Sequence, residues 1–297
     1  MKIAHRLFTN RCLIFLLALL LVASVLIAFS PGRGSAQPRN SILVFAVSGG
    51  PDEYQMDAVV VVDGKLLRAP FTDEQKDKQK TFAEQYFAAG RTYRLTFGGG
   101  EAGSVSLKKW SEGCNSVHAD VSVSGSTRLG GQVKALATNS DLLGKKPSSR
   151  RALTEAERAA VITLVKSIYS QNRTPASLIA SLKITNLTAT DLDSDGKYEF
   201  IGSFTLAAKN KFERDLFLIA KPQGAAMRAD FVKFQAYQPP PEGFLSSIDF
   251  VDQLDTDGDG VGEVFAVQGG FDAYGYLIFK KVSGRWRQVY QGIGDAC

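Results

Sequence analysis

The sequence has few histidines and almost no excess charge outside its N-terminus. Two histidines in 297 residues argue against a zinc enzyme built on several imidazole ligands. The chain has 35 basic and 30 acidic side chains, and four of the basic ones (Lys2, Arg6, Arg11 and Arg33) lie in residues 1–36, which contain no acid. The remainder therefore carries an excess of a single positive charge, which argues against a nucleic-acid partner. An apolar fraction of 44% excludes a disordered chain.

The N-terminus has the three-part layout of a secretory signal. Residues 1–11 are basic, and residues 12–29 form a run of 18 residues without charge. Gly34 and Ala36 then occupy the −3 and −1 positions of a cleavage site after Ala36. The run also reaches the length of a membrane span, so an uncleaved signal anchor is the alternative. On either interpretation the body is extracytoplasmic, secreted or periplasmic, and meets the membrane only through an uncleaved N-terminal segment.

Cysteine is scarce as well. Without residues 1–36 the chain retains only Cys114 and Cys297. An even pair in an oxidising compartment predicts a disulfide bond, and two unpaired thiols are the alternative. A bond between them would dock the two halves of the chain on one another.

The alternation of short apolar runs with turn residues predicts a mainly β protein with a few helices, of the α+β class. Residues 42–143 are interpreted as a β-rich domain of unknown type. Residues 144–152 follow as a basic linker that is expected to be solvated, since positions 144–151 hold four basic residues, a proline and two serines but no apolar residue. Residues 153–297 are predicted to form a second, β-rich domain that starts with a helix.

That helix has a clear start signal. Thr154 and Glu157 have the spacing of a capping box, and the helix is predicted to run to about Gln171. Its apolar face consists of residues at helical spacing, namely Val161, Leu164, Val165 and Ile168.

Two short acidic segments share one pattern. They are Asp191–Glu199 (DLDSDGKYE) and Asp255–Glu263 (DTDGDGVGE), with acids at relative positions 1, 3, 5 and 9 and glycine at position 6. Several carboxylates in a tight loop favour a hard, oxygen-seeking cation, and calcium suits such a set better than zinc or copper. Solvated turns rich in aspartate and glycine are the alternative. The repeated spacing favours two calcium sites.

The two segments are not EF-hand loops. An EF-hand has glutamate at position 12, where this chain has Gly202 and Ala266, and helices would flank it in place of the strand-like runs seen here. The pattern instead resembles the strand–loop–strand calcium motif of FG-GAP and VCBS repeats, which form blades of integrin-type β-propellers. The resemblance covers roughly residues 182–210 and 245–292.

The resemblance implies a ligand set for each loop, with side-chain ligands at positions 1, 3, 5 and 9 and a main-chain carbonyl at position 7. In the first copy these are Asp191, Asp193, Asp195, the carbonyl of Lys197, and Glu199; in the second they are Asp255, Asp257, Asp259, the carbonyl of Val261, and Glu263. Because two copies cannot close a propeller, the expected architecture is a small β-domain that carries two blade-like units.

These observations favour a non-catalytic, extracytoplasmic protein with structural calcium ions. Binding to an unidentified surface or extracellular ligand, as in adhesion at the cell envelope, is compatible with that role. Two alternatives remain open at this point: a secreted hydrolase whose active site has no recognisable motif, and an accessory subunit that docks on another secreted protein. No catalytic residue or organic cofactor is predicted.

Overall fold

The structure is a computed structural model that describes residues 41–71, 76–207, 213–224, 226–236, 247–270, 273–292 and 294–296. The predicted export segment, residues 1–36, lies outside these ranges. Within them, no helix combines the length and the apolar character needed to cross a bilayer. Residues 42–297 form one compact unit.

The prediction of a mainly β fold with a few helices is confirmed. The first half contains strands β1 (Ile42–Gly50), β2 (Glu53–Asp63), β3 (Leu66–Arg68), β4 (Thr92–Phe97), β5 (Gly100–Glu112), β6 (Val117–Gly125) and β7 (Ala135–Thr138), with helix α1 (Lys76–Tyr86). The second half contains helices α2 (Glu155–Gln171) and α3 (Ala176–Ile179) and strands β8 (Lys183–Thr190), β9 (Glu199–Ala207), β10 (Glu213–Gln223), β11 (Ala226–Ala236), β12 (Ser247–Leu254), β13 (Glu263–Gly269), β14 (Tyr274–Val282) and β15 (Arg285–Gln291).

Six strands of the first half close into a barrel. Their order is β1-β7-β4-β5-β6-β2, and β1 pairs with β2 to complete the circle, while β3 extends β2 as a short hairpin. Alternate residues of a strand point to opposite faces, and β1 is buried on both. Phe45 belongs to the cluster that includes Phe82 and Phe87 at α1. Its neighbour Val44 belongs to a different cluster, shared with strands from the second half.

The second half forms two antiparallel sheets with the same strand order. The first sheet is β8-β9-β10-β11 and the second sheet is β12-β13-β14-β15. The first loop (Asp191–Glu199) joins β8 to β9, and the second loop (Asp255–Glu263) joins β12 to β13. Each acidic loop therefore lies at the same place in its own four-stranded sheet.

The helix, the two sheets and the barrel stack as successive layers. One apolar cluster joins α2 to the first sheet and contains Val165 and Phe204. A second cluster joins the two sheets, where the rings of Phe217 and Phe279 stack with centroids 5.1 Å apart. The third joins the second sheet to the barrel through residues such as Phe265. Both sheets are therefore covered on both faces.

The predicted helix start is confirmed. The Thr154 side chain accepts a hydrogen bond from the backbone N–H of Glu157, and the Glu157 carboxylate accepts one from the Thr154 N–H, which satisfies two donors of the first turn. Of the predicted apolar face, Val161, Val165 and Ile168 are buried. Leu164 packs against the same cluster with partial exposure.

The expectation that residues 144–152 form a solvated linker is wrong at Arg150. Its side chain is 5% exposed and forms an ion pair with Asp252 at 3.3 Å. The guanidinium carbon lies 4.6 Å from the ring centroid of Phe97 in the barrel and 4.7 Å from that of Phe250 in the second sheet. Both Asp252 oxygens also accept from the Gly98 N–H, at 3.0 and 2.9 Å. The arginine is buried because it joins the barrel to the second sheet.

The predicted disulfide falls partly outside the described residues, because Cys297 is not among them. The residues before it lie against Cys114: the Asp295 carboxylate accepts from the backbone N–H of Asn115 at 2.7 Å and from that of Cys114 at 3.3 Å. The Asn115 side-chain amide donates to the Ala296 carbonyl at 2.8 Å. The disulfide stays a prediction, and these contacts bring the end of the chain to the barrel.

Candidate metal centres in the two acidic loops

Strand pairing fixes both ends of each loop. Thr190 pairs with Glu199 in the first sheet, and Leu254 pairs with Glu263 in the second. The glutamate at loop position 9 is therefore held on a strand, while the aspartates belong to the loop itself. A direct hydrogen bond links the loops, since the Gly262 N–H donates to the Leu192 carbonyl at 2.7 Å.

The first loop folds around its first aspartate. The two oxygens of Asp191 accept from the backbone N–H groups of Asp195, at 3.2 Å, and Gly196, at 3.0 Å. Glu199 Oε2 accepts from the Leu192 N–H at 3.0 Å. Carboxylate oxygens of Asp191, Asp193 and Glu199 lie within 4.8 Å of one another.

Two features of this group fit a divalent cation. Asp193 Oδ1 is buried and has no hydrogen-bond partner within the described ranges, while Oδ2 accepts from Lys281 Nζ at 3.3 Å. Burial raises the pKa of Glu199 to about 7, and the negative charges of Asp193 and Asp191 act in the same direction. A bound divalent ion would satisfy the oxygen of Asp193 and stabilise the ionised form of Glu199.

Two predicted ligands of the first loop lie outside this group. Asp195 is exposed and accepts from the backbone N–H of Lys197 at 2.7 Å, a bond that lowers the pKa of Asp195. The Lys197 ammonium lies 3.4 Å from the other oxygen of the same carboxylate. Coordination by Asp195 and by the Lys197 carbonyl therefore stays a prediction.

The second loop has the same backbone plan. Asp255 accepts from the N–H groups of Gly258, at 2.8 Å, and Gly260, at 3.0 Å. The bond from position 6 matches the one in the first loop, while the other bond comes from position 4 here and from position 5 there. Asp259 accepts from the Val261 N–H at 2.9 Å. The three carboxylates that come within 4.8 Å of one another are here Asp255, Asp257 and Asp259. Ligation by the Val261 carbonyl stays a prediction.

A lysine occupies the second loop. Lys280 Nζ lies 2.7 Å from Asp257 Oδ1, 3.0 Å from Asp259 Oδ2 and 2.7 Å from Glu263 Oε1. Burial acts to lower the pKa of this lysine, but its bonds to the three carboxylates raise it overall. The ammonium group therefore already supplies a positive charge to three of the predicted ligands.

Glu263 is also bound from its other side. Its Oε2 accepts from both the N–H and the hydroxyl of Thr256, each at 2.7 Å. Burial raises the pKa of Glu263, although Lys280 and Thr256 oppose that shift. This glutamate is fully engaged inside the protein, whereas its counterpart Glu199 accepts one backbone bond.

A cleft of about 390 Å³ lies beside both loops. Asp191 and Asp255 line its two sides, and Gly98 and Lys146 contribute from the barrel side. Beside it the Gln253 amide donates to the hydroxyls of Ser149 and Thr190 and to the Asp191 carbonyl, at 2.9–3.2 Å.

The sequence analysis missed Lys280 as a contact of the acidic loop. Only the register of β13 on β14 places Lys280 beside Glu263, and that register is not visible in the spacing of the acids.

Comparisons with known proteins add no relative. No protein-family model matches the chain, and neither the curated proteins nor the solved structures that were searched gave a match.

Proposed function

We propose that this is a non-catalytic, extracytoplasmic calcium-binding protein in which the ions stabilise the acidic loops. The observation that carries the proposal is the first loop, where three carboxylates converge and Asp193 Oδ1 is buried without a protein donor among the described residues. Crowded carboxylates raise one another's pKa and oppose the folded loop. A calcium ion would offset that repulsion and accept all three as ligands.

The layered packing supports a blade-like interpretation of the two sheets. A propeller blade is a four-stranded antiparallel sheet that packs on a neighbour at each face. Here the first sheet packs between α2 and the second sheet, and the second sheet packs between the first sheet and the barrel. We infer that α2 and the barrel take the places that neighbouring blades have in a propeller, so that two FG-GAP/VCBS-like units suffice.

A structural role for the ions is favoured over a catalytic one. Metal-assisted hydrolysis needs a water on the ion and a base nearby. His118, the one histidine among the described residues, lies on β6 of the barrel. The acids of the loops are themselves the predicted ligands or are bound by lysine.

Calcium titration of the full chain tests the proposal directly. Isothermal titration should detect binding in the millimolar range or tighter, and Asp193→Ala should abolish it at the first loop. Asp120→Ala is the matched control, because Asp120 is an acid on barrel strand β6 that pairs with Lys109. Absence of heat and of bound calcium at millimolar concentration would refute the function.

Thermal melting separates structural ions from catalytic ones. Extracellular calcium modules bind at about 0.1–1 mM, so millimolar calcium should contribute about 0.5–1.5 kcal/mol per occupied site. Chelation should therefore lower the melting temperature by a few degrees, and magnesium should restore it poorly. An unchanged melting curve combined with the loss of a hydrolytic activity would instead favour the secreted hydrolase.

A further inference from the structure

Lys280 reaches the second loop because of its place on β14. Val264 on β13 pairs with Phe279 on β14. The next residue along β14, Lys280, therefore lies beside Glu263, which begins β13 and ends the loop. From there its side chain reaches three carboxylates at 2.7–3.0 Å.

The first sheet has a lysine at the same place with a different partner. Phe200 on β9 pairs with Ala220 on β10, so the next residue, Lys221, lies beside Glu199. The Lys221 ammonium nevertheless binds Asp230 on β11 at 3.0 Å. Arg228 also holds that aspartate, at 2.7 Å. Lys221 is thus bound to an acid on β11 and not to the carboxylates of the first loop.

A β-bulge at the same position in both sheets accounts for the difference. In the first sheet Ile219 pairs with Phe231 and Ala220 with Ala229, which leaves Asp230 as the extra residue. Such a residue has no cross-strand partner, and its side chain is re-aimed by the bulge.

The second sheet repeats this bulge with an apolar residue. Ile278 pairs with Tyr290 and Phe279 with Gln288, so Val289 is the extra residue. Val289 is an exposed side chain without charge. Because the bulge position holds no acid for Lys280, this lysine binds the acids of the second loop instead.

We propose that Lys280 is the resident cation of the second loop and that the bulge residues, Asp230 and Val289, determine which loop remains open to calcium. This inference rests on the proposed calcium function. The first loop is the stronger site, because Asp230 binds Lys221 and the one ammonium among the described residues that contacts the converging carboxylates of this loop, that of Lys281, lies 3.3 Å from Asp193 alone, whereas Lys280 contacts three carboxylates. The second loop binds calcium only when Lys280 is displaced.

The asymmetry follows from charge. An ammonium group within 3 Å of a carboxylate occupies an oxygen that calcium would use, and it repels the incoming ion. Calcium affinity depends strongly on the number of negative charges left on the ligands. Neutralising part of the second loop with Lys280 therefore weakens it relative to the first loop.

Four substitutions exchange the two arrangements. In an Asp193→Ala background, which reports the second loop alone, Lys280→Met and Val289→Asp should each raise calcium affinity about tenfold. The first removes the ammonium, and the second offers it a carboxylate at the bulge. In the otherwise native chain, Asp230→Val should lower the affinity of the first loop about tenfold, because it releases Lys221. Adding Lys221→Met to Asp230→Val should restore that affinity.

The double substitution distinguishes lysine entry from local misfolding, since misfolding would not be reversed by removing Lys221. Circular dichroism of the full chain detects misfolding, and calcium titration of the full chain measures the affinity that lysine entry would lower. Equal affinities at the two loops, unaltered by Lys280→Met and Val289→Asp, would overturn this inference and leave the calcium function standing. Failure of the native chain and of every variant to bind calcium would overturn both proposals.

Discussion

The two sheets have the same plan and different electrostatics. Each has four antiparallel strands in sequence order, an acidic loop after its first strand and a bulge between its third and fourth strands. In both loops a buried Oδ1 of the aspartate at position 3 has no hydrogen-bond partner among the described residues. The loops differ in their charges: Lys280 contacts three carboxylates of the second loop, at 2.7–3.0 Å, whereas Lys281 contacts one carboxylate of the first, that of Asp193, at 3.3 Å. A repeated motif therefore fixes the backbone of a site, and residues on neighbouring strands determine its charge.

The sheets also differ in how they join the rest of the molecule. Next to the first sheet, Arg151 and Glu157 form an ion pair at 2.8 Å that solvent reaches. Next to the second sheet, Arg150 and Asp252 form an ion pair from which solvent is excluded. Arg150 and Arg151 thus each form an ion pair with a carboxylate, the first buried and the second accessible to solvent. Substitutions at the two pairs therefore compare a buried with an exposed environment.

The largest effect is expected at the buried ion pair. Asp252→Ala would leave Arg150 charged and unpaired between the barrel and the second sheet, at a cost of about 3–5 kcal/mol. Arg151→Met, which removes the solvent-accessible pair, should cost about 1 kcal/mol or less. Urea denaturation of the full chain measures both. Similar losses for the two substitutions would contradict the claim that Arg150 joins the layers.

The predicted disulfide would tie the end of the second sheet to the barrel, a link for which the first sheet has no counterpart. If Cys114 and Cys297 are bonded, Cys114→Ser should lower the free energy of unfolding by about 2–4 kcal/mol. Peptide mapping under non-reducing conditions should recover the two cysteines in one cross-linked fragment. Recovery of both as alkylated thiols would refute the bond.

Local features of this chain were predictable and long-range ones were not. The acidic loops and the capping box of Thr154 with Glu157 depend on spacings of a few residues, which sequence shows directly. The contact between Arg150 and Asp252 joins residues 102 positions apart, so composition alone assigned Arg150 to a solvated linker. The position of Lys280 depends on strand register, which the residue pattern of a single strand does not define.

The pH dependence of stability should distinguish the loops. Without calcium, burial raises the pKa of Glu199 from 4.5 to about 7. Between these values the folded state holds a proton that the unfolded chain has released, so the free energy of unfolding falls as the pH rises through this window. We expect a fall of about 1–2 kcal/mol, less than the full shift implies because solvent reaches part of the loop.

Two variants check the assignment of that pH effect. Glu199→Gln should remove most of the fall between about pH 4.5 and 7. Glu263→Gln should change it less, because Lys280 and Thr256 stabilise the ionised form of that glutamate. Melting curves in chelator across this pH range give the comparison, and an unchanged slope in Glu199→Gln would assign the pH dependence to another group.

The smallest effect concerns the fourth position of each loop. Ser194 adopts φ 58° in the first loop, and Gly258 adopts φ 76° at the same position in the second. This left-handed conformation costs an L-residue about 1–2 kcal/mol, whereas glycine adopts it freely. Gly258→Ser should therefore destabilise the chain by about 1 kcal/mol. Ser194→Gly relieves the same strain but gives the unfolded chain more freedom, so it should be neutral or stabilise by up to about 1 kcal/mol. Urea denaturation in the presence of a chelator measures the free energy of unfolding of both variants. If Ser194→Gly also lowers it, the Ser194 hydroxyl, which accepts from Lys146 at 3.1 Å, stabilises the first loop by more than the backbone strain costs.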